Sequence, residues 1–387
     1  MCVIAGYSGK RRAAPILIEM LKKIEYFDGG YATGIATVHE GKIYCAKAIG
    51  DVEMLLRTTN ALDLPGTTGI IHTRPNGEFF SVTHPYFDAR GKLAMVENGG
   101  TGATACPALH AEFCAVMNEM LDRGIVSPSS RDLNAKTHQN FFTRDGKPFY
   151  YIEAYSLLLG EMLRRVPKDS LKGEIALAVK KMHERLPADN VTVTVYDDLP
   201  DTVTVGTVTR PMSVLEADGE TLIASCATAF PEELQHFPVT HLPVCSVSQI
   251  TPQGLEIVSV GMEGVRSEPV TERVVQYYKA FLEATLTGKE DAPLSLYDIK
   301  LPMDIWSEPM VDCKYAGTVR PLKPLMCAVY QAFWELHREG RLHSRLGVVY
   351  SRDVSWPNVD CYFTKFWIDE KRNRVAAKPQ RIESCEE

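Results

Sequence analysis

The second residue of the chain is a cysteine. Once Met1 is removed, the usual fate when a small residue follows, Cys2 carries the only α-amine of the chain. Thiols titrate near pH ~8.5 and α-amines near ~7.7–8.0. A useful fraction of the amine is therefore unprotonated at neutral pH. It can take the thiol proton during attack on an amide carbonyl and return a proton to the departing amine. One residue then serves as both nucleophile and base, and no histidine partner is needed. A buried structural cysteine that happens to stand second is the plain alternative, and Cys2 alone does not separate the two.

The elements that must carry such a residue are legible around it. Residues 2–7 read as a buried strand, and residues 13–25 place Ile16, Leu17, Met20, Leu21 and Ile24 on one helical face. Strand-like runs follow at 33–39, 42–48, 69–73 and 92–97, and a second amphipathic helix covers 108–121. Residues 125–148 form a polar excursion that suits a lid or a partner surface. Helices are predicted over 152–165 and 171–186. Residues 190–196 and 202–208 alternate with period two around Asp197-Asp198-Leu199-Pro200-Asp201, a hairpin signature. Further strands are predicted at 222–225 and 255–260. Residues 261–270 read as a linker, followed by helix patterns at 271–286 and 324–339 and strands at 346–350 and 361–368. Strands, then helices, then strands again point to an α+β layered fold, not a doubly wound parallel sheet.

Composition narrows the function classes. The 387 residues suggest two domains and a core large enough to need no staples. The net charge is -7. Residues 265–387 carry 18 Lys+Arg and 18 Asp+Glu, so the acidic excess lies in the first 264, at 24 against 31. Nucleic acid and anionic membrane are disfavoured as general partners. Ten scattered cysteines with no CxxC pair fit reduced thiols in a cytoplasm, with no disulfide framework, metal site or cofactor implied. No signal peptide or transmembrane run is read.

Five segments, in order over residues 1–100, resemble the class II glutamine amidotransferases. MCVIAGY is similar to their MCGIVG start, EYFDGGYATGIA to EYRGYDSAG(L/I)A, and GDVEMLL to GKVxxL. GIIHTRPNGE is similar to GIGHTRWATHG, and VTHPYFDARGKLAMVENGG to NAHPH…(V)VHNGII. Residues 190–260 resemble the closing strands of the same domain, so about two thirds of the chain is covered. The glutaminase domain of glucosamine-6-phosphate synthase is the nearest in pattern. The resemblance implies a four-layer αββα N-terminal-nucleophile hydrolase sandwich over 1–262, with 125–148 as an insertion. Residues 270–387 are then a smaller mixed α/β extension of unknown role. It also implies hydrolysis of the glutamine side-chain amide through a Cys2 thioester, with ammonia passed to an acceptor on a partner chain.

Residue roles follow from the same resemblance. Asn98-Gly99 matches the oxyanion pair, whose side-chain amide and backbone N–H would stabilise the developing charge by roughly 3–4 kcal/mol per donor. The same dipeptide is also the favoured hairpin turn. Arg74 matches the arginine that holds the substrate α-carboxylate through two parallel hydrogen bonds, with a surface ion pair as the alternative. His72 and Thr73 precede it as further substrate-binding candidates. His84 reads as structural, and Gly29 and Gly30 as turn glycines near the nucleophile. The chain departs from the pattern at Val3, at Pro75-Asn76-Gly77-Glu78 and at Tyr86. The aspartate expected to bind the substrate α-ammonium is replaced by Tyr151. Glu153, where the family has a glutamate, then becomes the candidate acceptor, beside Asp145 and Glu78, because an unpaired buried charge is costly.

The C-terminal region matches none of the acceptor modules the resemblance would supply. It lacks phosphosugar isomerase, synthetase and phosphoribosyl signatures and any cluster of cysteines for an iron–sulfur centre. The expectation is a glutaminase that works with a synthase partner subunit, and self-association or partner docking through a winged-helix-like 324–368 segment. Two other readings stay open: hydrolysis of a different small amide, and a non-catalytic regulatory protein on the same fold.

Overall fold

In the computed structural model the described residues are 2–75, 83–100, 106–125, 141–306, 311–313, 324–351 and 359–369. Most of the 125–148 excursion, residues 76–78 of the Pro75–Glu78 departure (Glu78 among them), and the last 18 residues thus fall outside them. In chain order the structure runs β1 (Val3–Ser8), α1 (Ala13–Asp28), β2 (Ala32–His39), β3 (Lys42–Ile49), α2 (Val52–Thr58), β4 (Thr68–Arg74), β5 (Tyr86–Phe87), β6 (Leu93–Gly100) and α3 (Pro107–Asp122). Then come α4 (Tyr151–Met162), α5 (Leu171–Arg185), β7 (Asp189–Tyr196), β8 (Leu199–Thr207), β9 (Ser213–Ala217), β10 (Glu220–Ala224), β11 (Val239–His241), β12 (Ser246–Thr251) and β13 (Gly254–Val260). The C-terminal region adds β14 (Val265–Ser267), α6 (Glu272–Leu286), β15 (Val311–Cys313), α7 (Leu325–Arg338), β16 (Leu342–Ser351) and β17 (Val359–Ile368).

Two sheets make the centre. One has the order β11-β9-β10-β1-β4-β2-β3 and the other β13-β12-β8-β7-β6-β5. Their neighbours pair antiparallel. The period-two alternation of each strand sorts its residues between two cores. Val3, Ala5 and Tyr7 of β1 face α1, whereas Ile4 joins Ile70, Ala94, Val96, Val191 and Val193 between the sheets. Leu93 and Met95 of β6 face the opposite way, onto α3, α4 and α5. The order helix, sheet, sheet, helix is the four-layer αββα sandwich expected from the sequence.

Local differences have local causes. The predicted five-residue turn between β7 and β8 is two residues long, because Leu199 already pairs with Tyr196. Lys92 Nζ meets both turn carboxylates, Asp197 at 3.2 Å and Asp198 at 3.0 Å. Helix α2 escapes the sequence pattern because it spans only 7 residues; Asp51 caps it by accepting the Met54 N–H at 2.8 Å.

The C-terminal region does not stand apart. Val275, Tyr278, Leu282, Tyr330, Phe333 and Phe366 lie in one buried cluster with Leu17, Met20, Ile24 and Phe27 of α1. The Phe27 ring meets Phe366 edge-on at 5.1 Å and Phe333 at 6.4 Å. The apolar face of α7 is thus covered within the chain. No described helix is long and apolar enough to cross a membrane. Replacement of Phe27 by alanine should cost about 3–5 kcal/mol. Urea unfolding should show both regions still melting in a single transition; separate transitions would contradict the shared core.

Candidate active site

Strand alternation places the nucleophile candidate. Cys2 stands two residues before Ile4, so it falls on the inter-sheet face of β1 at the strand's start. Asn98 stands two residues after Val96, on the inter-sheet face of β6. The two meet across the seam: the Cys2 N–H donates to Asn98 Oδ1 at 3.0 Å. With the side-chain oxygen engaged this way, the NH2 group is the donor that the Asn98 side chain has left to offer. Asn98-Gly99 is therefore strand, not turn; Asn98 pairs with Val191 and Gly99 with Asn190.

Gly99 leaves its N–H out of that ladder. Asn190 opposite it is already engaged, with its N–H on Ala188 O and its carbonyl accepting from Val208. The Glu97 N–H points away from β7, onto His84 Nδ1 at 3.1 Å. Antiparallel alternation carries the Gly99 N–H, two residues on, to the same side. Gly99 adopts φ +147°, and a Cβ there would run into the Asp189 carbonyl. No other residue type fits this strand end without strain.

Arg74, two residues beyond His72 and opposite Ala32, closes the seam on the β4 side. Its guanidinium lies 5.1 Å from the Tyr150 ring centroid, and its Nε donates to Pro75 O at 3.0 Å. Burial works against its charge, but the face of the Tyr150 ring favours the cation, and Arg74 titrates above the ordinary arginine value. Burial pushes the Cys2 thiol up to about 12, while Arg74 pulls it down and Glu97 and Asp28 push it further up. The thiol is thus protonated at neutral pH and needs a base at the moment of attack.

The remaining sequence candidates play supporting parts. Thr73 Oγ1 accepts the Gly30 N–H at 2.8 Å and a bond from Thr33 Oγ1 at 2.9 Å, fixing the loop after α1. Gly30 takes φ +90° there, as a turn glycine should. His72 stacks on His84 with centroids 3.9 Å apart. Burial holds both rings well below the usual histidine range, so the stack is neutral. Glu153 lies at the start of α4, where its Oε2 accepts the Tyr150 N–H at 3.3 Å. Asp145 pairs with Lys147 at 3.1 Å on an exposed turn.

Sequence reasoning missed Glu97, Asp28 and the role of Tyr151. Glu97 faces the α4 layer from β6, and Tyr151 donates its hydroxyl to Glu97 Oε2 at 3.0 Å and reaches Gly99 O at 3.4 Å. Burial raises Glu97 to about 7, against the lowering by Tyr151, Arg210 and Arg74. A carboxylate on the buried face of a central strand was the available signal. Asp28, the last residue of α1, is 2% exposed and accepts a hydrogen bond from the Tyr297 hydroxyl.

No protein-family model matches the chain. It is 31% identical over 237 residues to the glutamine–fructose-6-phosphate aminotransferase (isomerizing) of Pyrococcus horikoshii, covering 59% of this chain and 33% of that one. It is 27% identical over 276 residues to the same-named protein of Thermosynechococcus vestitus, covering 70% and 38%. The chain spans little more than a third of the length of these curated relatives. A solved structure described as the allosteric regulatory enzyme of purine biosynthesis superimposes with a TM-score of 0.50 at 15% identity, over 73% of this chain and 58% of that one. At that identity the likeness is one of fold.

The raised Glu97 makes a stability prediction. Its folded value exceeds that of an unfolded glutamate, so its contribution is fully present below about pH 4.3 and is lost as pH rises through about 7. Glu97→Gln should remove part of that decline, on the order of 1–3 kcal/mol. Urea midpoints at pH 5 and pH 8 should lie closer together in the variant than in the parent; an unchanged gap would contradict the assignment.

Proposed function

Taking as premise that about two thirds of the chain is related to the class II glutamine amidotransferases, we propose that it hydrolyses the side-chain amide of glutamine at Cys2. One observation carries the reading. The nitrogen of Cys2 is bonded at 3.0 Å to the residue whose amide would hold the oxyanion.

The chemistry follows from the groups in the seam. With Met1 removed, the amine of Cys2 accepts the thiol proton as sulfur bonds to the amide carbon. The carbonyl oxygen becomes an oxyanion held by the Asn98 side-chain NH2 and the Gly99 N–H. The C–N bond then breaks, the Cys2 ammonium gives its proton to the nitrogen, and ammonia leaves with the acyl group on sulfur. Water, deprotonated by the same amine, attacks the thioester and releases glutamate and the thiol. Arg74 suits the α-carboxylate and fixes the amide end in register with the donors. Asn98, Gly99 and Arg74 hold these roles with Cys2; His72 and Thr73 support them from behind. We assign the released ammonia to an acceptor on a partner chain in the cytoplasm.

A second reading, hydrolysis of a different small amide, has one observation in its favour. Tyr151 stands where the α-ammonium acceptor was expected and already fills Glu97 and Gly99 O with its own hydroxyl. A panel of ω-amides with and without an α-amino group, read by mass spectrometry, separates the two.

Purified protein given glutamine should release glutamate and ammonia, and its intact mass should lack Met1. Cys2→Ala should abolish release, and Asn98→Ala should lower kcat by about 10²–10³ with the fold intact. Undiminished turnover in Cys2→Ala would dispose of the proposal. A chain that keeps Met1 and still turns over glutamine would dispose of the amine as base.

A further inference from the structure

Glutamine brings two charged groups into the site, and Arg74 suits only its carboxylate. The α-ammonium must be met as well, because a charge moved out of water without a partner is costly. Hydrogen-bond acceptors gather without enough protons to satisfy them at Gly99, the residue whose N–H faces the oxyanion. Tyr151 Oη lies 3.0 Å from Glu97 Oε2 and 3.4 Å from Gly99 O. A phenol carries one proton. The shorter contact is to the carboxylate, so the proton goes to Glu97, and the hydroxyl oxygen faces the Gly99 carbonyl with its lone pairs. The backbone does not relieve this. The Asn190 N–H, which antiparallel pairing would direct at Gly99 O, is spent on Ala188 O at 2.9 Å. Behind the hydroxyl, Glu97 Oε1 is buried without a hydrogen-bond partner, as is the Asn190 amide beside it.

The cluster is joined to the rest of the site on two sides. Tyr151 packs on the Tyr150 ring at 4.9 Å, and the Arg74 guanidinium lies 5.1 Å from the centre of that same ring. One aromatic ring thus separates the arginine from the acceptors. Gly99 links them to the oxyanion donors through its own backbone. Glu97 is anchored in turn, with its N–H on His84 Nδ1 at 3.1 Å and His84 stacked on His72. Gly99 is half-buried, Tyr151 is 8% exposed and Glu97 is 1% exposed. The carbonyl and the hydroxyl therefore stand in front, and the carboxylate stands behind them.

We propose that Gly99 O and the Tyr151 hydroxyl oxygen form the subsite for the α-ammonium of the substrate, with the Glu97 carboxylate behind Tyr151 supplying the opposing charge. The inference rests on the reading of Cys2 as a glutamine-hydrolysing nucleophile and goes past it by naming what selects an α-amino acid amide. An ammonium has three N–H donors and no acceptor. It can give one proton to each of the two facing oxygens, which a hydroxyl with a single proton cannot do. Burial raises Glu97 to about 7. A cation held at the hydroxyl favours the ionised carboxylate, and the carboxylate polarises the O–H toward itself and strengthens the oxygen as an acceptor. The hydroxyl that covers Glu97 is thus a relay between carboxylate and ammonium. Tyr151 touches the substrate; Glu97 acts through Tyr151 and is a positioning residue.

The test compares glutamine with glutaramate, the same ω-amide without its α-amino group, on the full-length mature chain, Tyr151→Phe and Glu97→Gln. The parent should hydrolyse glutamine with a kcat/KM about 10–100-fold above that for glutaramate. In either variant KM for glutamine should rise about tenfold with kcat changed far less, and the preference over glutaramate should shrink by the same factor. Glu97→Gln keeps the shape of the side chain, so it reads the charge even if Tyr151→Phe folds poorly. A merely structural role predicts equal losses on the two amides. That result, or a parent that does not distinguish them, overturns the proposal while leaving Cys2 in place. Labelling of Cys2 by a glutamine-analogue electrophile runs alongside. If the parent neither labels nor hydrolyses either amide, the reading of the site fails and this inference fails with it.

Discussion

A single hydrogen bond between two sheets, from the nitrogen of Cys2 to the side chain of Asn98, is the constraint on which the site depends. Its partners are 96 residues apart in the chain. They meet only because the apolar seam of Ile4, Ile70, Val96, Val191 and Val193 holds the sheets at a fixed separation. The seam is therefore not simply ballast. Any repacking that slides one sheet against the other moves the nucleophile off its oxyanion donors, and sub-ångström placement is what such chemistry requires.

The second constraint is charge in a dry place. Glu97 and Asp28 are buried at 1% and 2% exposure, where unpaired charge is costly. The structure answers with tyrosines and neutral rings. Tyr150 lies over Arg74, Tyr151 hydrogen-bonds Glu97, Tyr297 hydrogen-bonds Asp28, and the His72–His84 stack stays uncharged. Just beyond Gly99, Asp189 and Arg210 form a further buried ion pair that locks the start of β7. A protonated thiol beside an amine is a workable resting state here, since the proton moves only when substrate brings an acceptor for the electrons of sulfur.

The C-terminal region belongs to this arrangement structurally. Its helices complete the layer that α1 begins, and α7 reaches the far side of the seam, where the Cys327 thiol meets Thr209 O at 3.3 Å. It touches the loop behind the nucleophile and the strand end behind the oxyanion donors. An element placed so can transmit its own packing to both halves of the site.

The sequence by itself determined the parts that follow local rules: a cysteine at position two, strands of period two, the amphipathic faces of α1 and α3, and the layered α+β architecture. It also presented Asn98-Gly99 and Arg74 through segments in register with a known pattern. It left open whether Asn98-Gly99 is a turn, and it did not reveal that Glu153 sits at the start of α4 with a carboxylate oxygen on the Tyr150 N–H. Only the tertiary structure decided that Glu97 faces Tyr151, that Asp28 faces Tyr297, and that the apolar face of α7 is spent against α1. Periodicity records which face of an element is buried. Which polar groups then meet in that buried space depends on register and on the approach of segments remote in the chain, and no local pattern encodes either.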